Sequence, residues 1–296
     1  MKHIGFIGAS GLMGHGIAKN LLAKGFQVRL TVNRNRDGVA DLLAAGATLA
    51  GSKADLGACD AVMLCVTGSP QVEAALMGTE GVLGRAKPGL LVIDCSTSEP
   101  ESSQRLAALC AQAGAVFVDA PLARTPVEAE AGKLNTMVGA TPQVFEKIKP
   151  VLQAYCENIF HVGGPGSGHI IKLLNNFIGQ AITTATAEAF AVGAKAGIEV
   201  QQLVNVVSAG AVNSGLFQAM SKTLQGDYSS LKFELDNARK DLRYYTHLAE
   251  FVNVPSIVGE AVHQSLATAS NLGFGKDYVP RLVSAQEKLT GAKFTP

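Results

Sequence analysis

The chain has 296 residues and a formal net charge of +1; 47% of its residues are hydrophobic and 17% are charged. This composition excludes a disordered chain, and without a basic excess we expect no binding to nucleic acid or to a membrane surface. No apolar run reaches the ~18 residues of a membrane span, and glycines interrupt the apolar N-terminus, so we expect a cytoplasmic protein. The cysteines and histidines lack metal-ligand spacing, which predicts reduced thiols and no metal site.

Short apolar runs alternate with helical patterns over the first half of the chain. The apolar runs predict strands at residues 4–8, 28–32, 61–66, 90–94 and 116–119, with helices at 14–24 and 102–113 among them. Such alternation is typical of a parallel sheet covered by helices on both faces. The predicted fold class is therefore α/β, with a doubly wound Rossmann domain over residues 1–162.

The first predicted strand runs into a glycine-rich loop that opens a helix. Glycines let backbone N–H groups approach a pyrophosphate, and a helix N-terminus favours its negative charge. An ordinary turn between a strand and a helix is the alternative. We interpret the loop as nucleotide-binding through Gly8, Ser10, Gly11, Leu12 and Met13.

The end of the second predicted strand indicates which nucleotide is bound. In NAD enzymes an acidic residue at this place binds the ribose 2′-hydroxyl, but here Asn33 and Arg34 occupy it and the next carboxylate is Asp37. An arginine can bind a 2′-phosphate bidentately, whereas a carboxylate would repel it. We therefore predict NADP(H) as the cofactor, with a solvated basic turn as the alternative.

The pattern changes after a glycine-rich run at residues 163–168. Residues 169–196 place apolar side chains at helical spacing, and the later residues follow further helical patterns. We place a domain boundary here and predict an all-helical domain over residues 163–296, joined to the first by a long interdomain helix. Because the long helix is too apolar to face water along its length, we also predict a homodimer or homotetramer.

The long helix carries polar residues on a strongly apolar background. Asn175 and Asn176 follow Lys172 by three and four residues, which places them on the same helical face. Carbonyl reduction needs a proton donor for the oxygen, and lysine is protonated at neutral pH. Lys172 is the candidate catalytic acid, with a surface lysine as the alternative, and the asparagines continue a polar stripe that needs partners. His161 and His169, near the helix start, are interpreted as structural.

Several segments, in order, resemble the β-hydroxyacid dehydrogenase family, which includes 3-hydroxyisobutyrate dehydrogenase and tartronate semialdehyde reductase. The resemblance implies a Rossmann domain, a long interdomain helix and a helical C-terminal domain. It implies Lys172 as catalytic acid with Asn176 as its substrate-positioning neighbour, Thr97 and Lys240 near the nicotinamide, and Val66 and Thr67 near the cofactor ribose. We place Asn175 with Asn176 at the substrate. The matching segments are the opening loop through Gly14, Asp94-Cys95-Ser96-Thr97, Asp119-Ala120-Pro121, the run from Gly163 through Asn176, and Lys240-Asp241-Leu242.

Two loops depart from the family pattern. One extra residue between Gly8 and Gly11 lengthens the usual G-x-G-x-x-G loop. Where the family commonly has Ser-Gly-Gly for a substrate carboxylate, this chain has Ala123, Arg124 and Thr125. That segment is similar to the branch containing sulfolactaldehyde reductase, and the family's 2-oxopropylphosphonate reductase also takes a non-carboxylate substrate.

These departures predict the substrate class. Arg124 and Thr125 offer more donors to a tetrahedral anion than a serine-glycine turn does. We predict NADPH-dependent reduction of a small anionic ketone or aldehyde, with a three-carbon phosphonate or sulfonate as the substrate. A carboxylate substrate of the 3-hydroxyisobutyrate or tartronate semialdehyde type is the alternative, and a non-catalytic NADP-binding sensor is a more remote one.

Overall fold

A computed structural model describes residues 1–32 and 36–296, which form two compact units, Met1–Lys172 and Leu173–Pro296. Asn33 and Arg34, predicted to select the nucleotide, therefore lie outside the described residues. In the described part of the chain, no helix is both long and apolar enough to cross a membrane.

The first unit is built on one sheet whose central strands are fully buried, as their continuous apolar sequences require. Burying each large apolar side chain stabilises the fold by about 1.5–3 kcal/mol. The strands are β1 (His3–Ile7), β2 (Gln27–Thr31), β3 (Thr48–Leu49), β4 (Ala61–Leu64), β5 (Leu91–Asp94), β6 (Val116–Asp119), β7 (Leu122–Ala123), β8 (Leu134–Gly139) and β9 (Cys156–Gly163).

The strand order is β3-β2-β1-β4-β5-β6-β8-β7, with β9 paired to β8. Strands β1 to β6 pair in parallel, whereas β8 runs antiparallel to both β6 and β7. The chain moves outward from β1 to β2 and then crosses to β4 on the other side of β1. This reversal opens a crevice at the carboxyl ends of β1 and β4, where ligands bind in doubly wound sheets.

The five strands predicted from sequence correspond to β1, β2, β4, β5 and β6. The other four were not predicted, because they lack a continuous apolar run. Both residues of β3 are exposed, Asn135 and Thr136 interrupt β8, and β9 carries Glu157 and His161. The central parallel strands of the sheet were therefore predictable, and the strands toward its two edges were not.

Helices cover the sheet and make up the second unit. The helix predicted at residues 169–196 is α7, which begins in the first unit and continues into the second. The predicted fold class, a Rossmann domain followed by a helical domain, is confirmed. The helices are α1 (Leu12–Ala23), α2 (Ala40–Ala44), α3 (Ser69–Leu76), α4 (Pro100–Gln112), α5 (Pro126–Glu130), α6 (Pro142–Leu152), α7 (Ser167–Lys195), α8 (Val200–Ser208), α9 (Gly215–Ser221), α10 (Leu235–Phe251), α11 (Ile257–Ala269) and α12 (Leu282–Thr290).

Helices α1 and α5 approach so closely at Gly16 that no side chain fits at that position. A Cβ added to Gly16 of α1 would lie 2.6 Å from the carbonyl oxygen of Ala129 in α5. The side-chain amide of Asn20 donates to the backbone oxygens of Gly16, Ala129 and Glu130 at 2.8, 3.0 and 3.2 Å. This contact joins the helix after the glycine-rich loop to the helix after residues 123–125.

Candidate active site

The glycine-rich loop lies at the crevice between β1 and β4. Gly8 follows β1 with φ 98°, and a Cβ there would collide with the carbonyl oxygen of Cys65, which follows β4. A Cβ on Gly14 would collide with the carbonyl oxygen of Gly8. Both positions therefore require glycine, and they hold the loop tightly against the sheet.

The outer part of the same loop is open. Ser10, Gly11 and Leu12 are exposed, and the side chain of Leu12 retains 69% of its accessible surface. Gly11 is the N-cap of α1 and has no side chain to cap it, which leaves the first-turn N–H groups to a ligand or to solvent. Together with the neighbouring Met13, these residues fit a nucleotide pyrophosphate.

The loops that follow β4 and β5 are joined by hydrogen bonds. The N–H of Val66 donates to Oγ of Ser96 at 3.0 Å. The N–H of Ser96 and the hydroxyl of Ser98 donate to the two carboxylate oxygens of the buried Asp94, each at 2.9 Å. Val66 and Thr67 on one loop and Thr97 on the other therefore lie on a single hydrogen-bonded frame. Asp94 and Ser96 were matched only as parts of a motif, and their bonding roles come from the structure.

Asp119 fixes the beginning of α7. Its carboxylate accepts the N–H of Gly166 at 2.7 Å and the N–H of His169 at 3.0 Å. Burial raises the pKa of Asp119, although the charge of His169 and these two hydrogen bonds act in the opposite direction. A carboxylate at a helix N-terminus satisfies N–H groups that have no partner within the helix. Lys172, half-buried, follows less than one turn further along this anchored helix.

The side chains of Arg124 and Thr125 form hydrogen bonds with other residues of the chain. Arg124 has a positive φ of 80°, the region that favours glycine, so its backbone has the conformation expected of a glycine-containing turn. Its Nη1 donates to the carbonyl oxygen of Lys133 at 2.6 Å and to Oε2 of Glu157 at 2.5 Å. The hydroxyl and N–H of Thr125 form a capping box with Glu128 at the start of α5. Ala123 ends β7 and is half-buried.

In the second unit, Asn176 and Lys240 come together on Asp241. The side-chain amide of Asn176 donates to Oδ2 of Asp241 at 2.6 Å, and Nζ of Lys240 lies 2.9 Å from Oδ1. Asn175 is exposed and donates to Oδ1 of Asn176 at 3.3 Å. Asn176 and Lys240 were predicted from the sequence, whereas Asp241, their common partner, was not, although the Lys240-Asp241-Leu242 motif marks its position.

A doubly wound sheet with a glycine-built crevice, followed by a helical unit, is typical of nicotinamide nucleotide-dependent oxidoreductases. Residues 3–163 match the NAD binding domain of 6-phosphogluconate dehydrogenase, and residues 166–283 match the NAD-binding domain of NADP-dependent 3-hydroxyisobutyrate dehydrogenase. The chain belongs to the β-hydroxyacid dehydrogenase family, and it is an enzyme of the dehydrogenase and reductase type.

Three relatives cover almost the whole chain. The 2-(hydroxymethyl)glutarate dehydrogenase of Eubacterium barkeri is 31% identical over 97% of this chain and 96% of its own. The 3-sulfolactaldehyde reductase of Escherichia coli K12 is 33% identical over 93% of each chain. A solved structure described as Psf3 in complex with NADP+ and 2-OPP has a TM-score of 0.81 and 26% identity, over 95% of this chain and 99% of its own.

Proposed function

We propose that this protein is an NADP(H)-dependent reductase of a small anionic ketone or aldehyde, with Lys172 as the proton donor. The placement of Lys172 supports this most directly. It stands near the start of a helix whose first turn is bonded to Asp119, and Asp119 opens the segment that leads to residues 123–125. A buried anchor of this kind holds an acid in one position, as proton transfer requires.

Separate groups of residues bind the cofactor, donate the proton and orient the substrate. The loop from Gly8 to Met13 would hold the cofactor pyrophosphate, and Val66, Thr67 and Thr97 would hold its ribose and nicotinamide. When bound, the reduced nicotinamide supplies hydride to the carbonyl carbon. Nζ of Lys172 then gives a proton to the oxygen on which negative charge develops. Asn175 and Asn176, one helical turn further, orient the substrate.

Three observations support NADP(H) over NAD(H). Asn33 and Arg34 replace the carboxylate that would bind a ribose 2′-hydroxyl. The matched family model for residues 166–283 is named for an NADP-dependent enzyme, and the Psf3 structure contains NADP+.

For the substrate anion, the proposal is a sulfonate or phosphonate bound by Arg124. Its support is the Ala123-Arg124-Thr125 segment, the 33% identity to 3-sulfolactaldehyde reductase and the Psf3 complex with 2-OPP. The guanidinium of Arg124 already binds an anion, Glu157, which the substrate would replace. That ion pair also favours a second candidate, a carboxylate substrate held by the turn while Arg124 keeps its bond to Glu157.

Oxidation of NADPH, followed at 340 nm with sulfonates, phosphonates and their carboxylate analogues, tests the proposal. A site built for the tetrahedral anion should favour it in kcat/KM by at least tenfold, about 1.4 kcal/mol. Glu157→Gln should then lower KM, because Arg124 no longer has to leave a charged partner, whereas Arg124→Ala should raise it. Glu146→Gln, which removes an exposed glutamate paired with Lys149 on α6, is the control. If a carboxylate has the highest kcat/KM and Glu157→Gln leaves KM unchanged, the second candidate is supported instead.

A further inference from the structure

His169 is fully buried in the first turn of α7 and contacts two other segments of the first unit. Its Nδ1 lies 2.6 Å from Oγ of Ser103 on α4. Its Nε2 lies 3.2 Å from the carbonyl oxygen of Ser96, in the loop that carries Thr97, and 3.7 Å from Oδ2 of Asp94. One ring therefore bridges the helix that bears Lys172 and the loop that bears Thr97.

The contact partners determine which ring nitrogen carries hydrogen. The carbonyl oxygen of Ser96 can only accept, so Nε2 of His169 donates to it. The hydroxyl of Ser103 can then donate to Nδ1, or accept from Nδ1 while its own hydrogen turns to the carbonyl oxygen of Glu99, 3.2 Å away. In both arrangements every polar atom of the ring has a partner, and the ring stays in place.

The consequence for Lys172 follows from helix geometry. Lys172 comes three residues after His169, almost one turn along the same helix face. A rotation or slip of the first turn of α7 against the Ser96 loop would carry the lysine with it. Displacing a catalytic group by about 1 Å can cost roughly 10²-fold in rate. Asp119 holds only backbone N–H groups here, whereas His169 ties the helix directly to the Ser96 loop.

We propose that His169 is a positioning residue that sets the place of Lys172 relative to the loop of Ser96 and Thr97. This inference rests on the proposed role of Lys172 as the acid. His169 does not touch the reacting atoms. Loss of His169 is expected to lower kcat, because Lys172 and the loop must be correctly placed relative to each other when the proton is transferred.

The test uses variants that keep different parts of the ring. The amide nitrogen of His169→Gln can reach the position of Nε2, that of His169→Asn the position of Nδ1, and His169→Leu has neither. Val151→Ala, a buried truncation in α6, provides a matched loss of stability. For each variant, kcat, the KM of the carbonyl substrate, NADPH binding by fluorescence and the thermal midpoint are measured, with kcat taken well below every midpoint.

The expected result is a fall in kcat of roughly tenfold or more for His169→Leu and His169→Asn, with NADPH binding retained. His169→Gln should recover most of the rate, and Val151→Ala should keep it despite its lowered midpoint. The double variant His169→Leu/Lys172→Ala should be no slower than Lys172→Ala alone, because His169 acts through that lysine.

Several results would overturn the inference. His169→Leu could keep kcat, Gln and Asn could be equivalent, or the losses in the double variant could be additive. If His169→Leu does not fold, the comparison of Gln with Asn decides. Failure of the proposed acid shows separately, as a Lys172→Ala enzyme that keeps its turnover.

Discussion

Nδ1 of His15 lies 2.6 Å from Oε1 of Glu130, and its Nε2 lies 3.0 Å from Oδ2 of Asp41. The ring thus links three helices, α1, α2 and α5. Burial alone would lower the pKa of His15, but the hydrogen bonds and charges of Glu130 and Asp41 outweigh it, and the pKa is raised above 6.5. The side chain of His15 therefore binds its proton more tightly in the folded chain than in the unfolded one.

The sign of the pH dependence follows from that raised pKa. The stabilisation is complete below the unfolded pKa of 6.5 and is lost as pH rises through the higher folded value. We expect the free energy of unfolding from urea titrations to fall as the pH rises above 6.5 in the wild type, and to fall less in His15→Gln. The pKa of His263 is lowered chiefly by burial, so its effect on the free energy of unfolding appears below pH 6.5. His3→Gln, at an exposed position, is the control; an equal slope in His15→Gln would contradict the prediction.

Lys172→Ala should lower kcat by roughly 10²–10⁴, the usual contribution of a positioned acid, while NADPH still binds. Stopped-flow measurements under single-turnover conditions separate this effect from product release. Lys195→Ala, at the last residue of the same helix, should leave kcat unchanged. A Lys172→Ala enzyme with normal single-turnover rates would show that another group supplies the proton.

Arg34→Ala should weaken NADPH binding by roughly tenfold or more and leave NADH binding nearly unchanged, because a charge-assisted bond to the 2′-phosphate contributes about 1.5–3 kcal/mol. Asn33→Asp should act in the same direction and also improve NADH binding, since the new carboxylate can accept the 2′-hydroxyl. Fluorescence titration of both cofactors measures these changes. Equal affinity of the unmutated protein for NADPH and NADH would refute the cofactor proposal.

We expect a homodimer or homotetramer. In the single chain α7 leaves Ile178 59% exposed and Val192 62% exposed, and burying such side chains is worth about 1.5–3 kcal/mol each. Light scattering at micromolar concentration should give at least twice the mass of one chain. Ile178→Glu combined with Val192→Glu should reduce it, whereas Gln201→Glu on exposed α8 should not. A monomeric wild type would contradict this prediction.

The features that could be predicted from the sequence are those whose signal is local. The glycine loop and the buried parallel strands each occupy a few consecutive residues, and Lys172 with its asparagines lies within one helical turn. The missed features join distant residues: Arg124 with Glu157 across 33 positions, and His169 with Ser96 across 73. No periodicity or spacing marks such pairs, because they form only once the sheet has brought its strand ends together.

The close packing at Gly16 limits how a new specificity can be engineered into this chain. The turn at residues 123–125 leads directly into α5, and α5 rests backbone to backbone on α1. A turn taken from a relative would lack the face of α1 against which it packs in that relative. If residues 123–125 bind the substrate as proposed, their exchange requires a composite graft, in which residues 122–130 are transferred together with the face of α1 formed by Gly16 and Asn20.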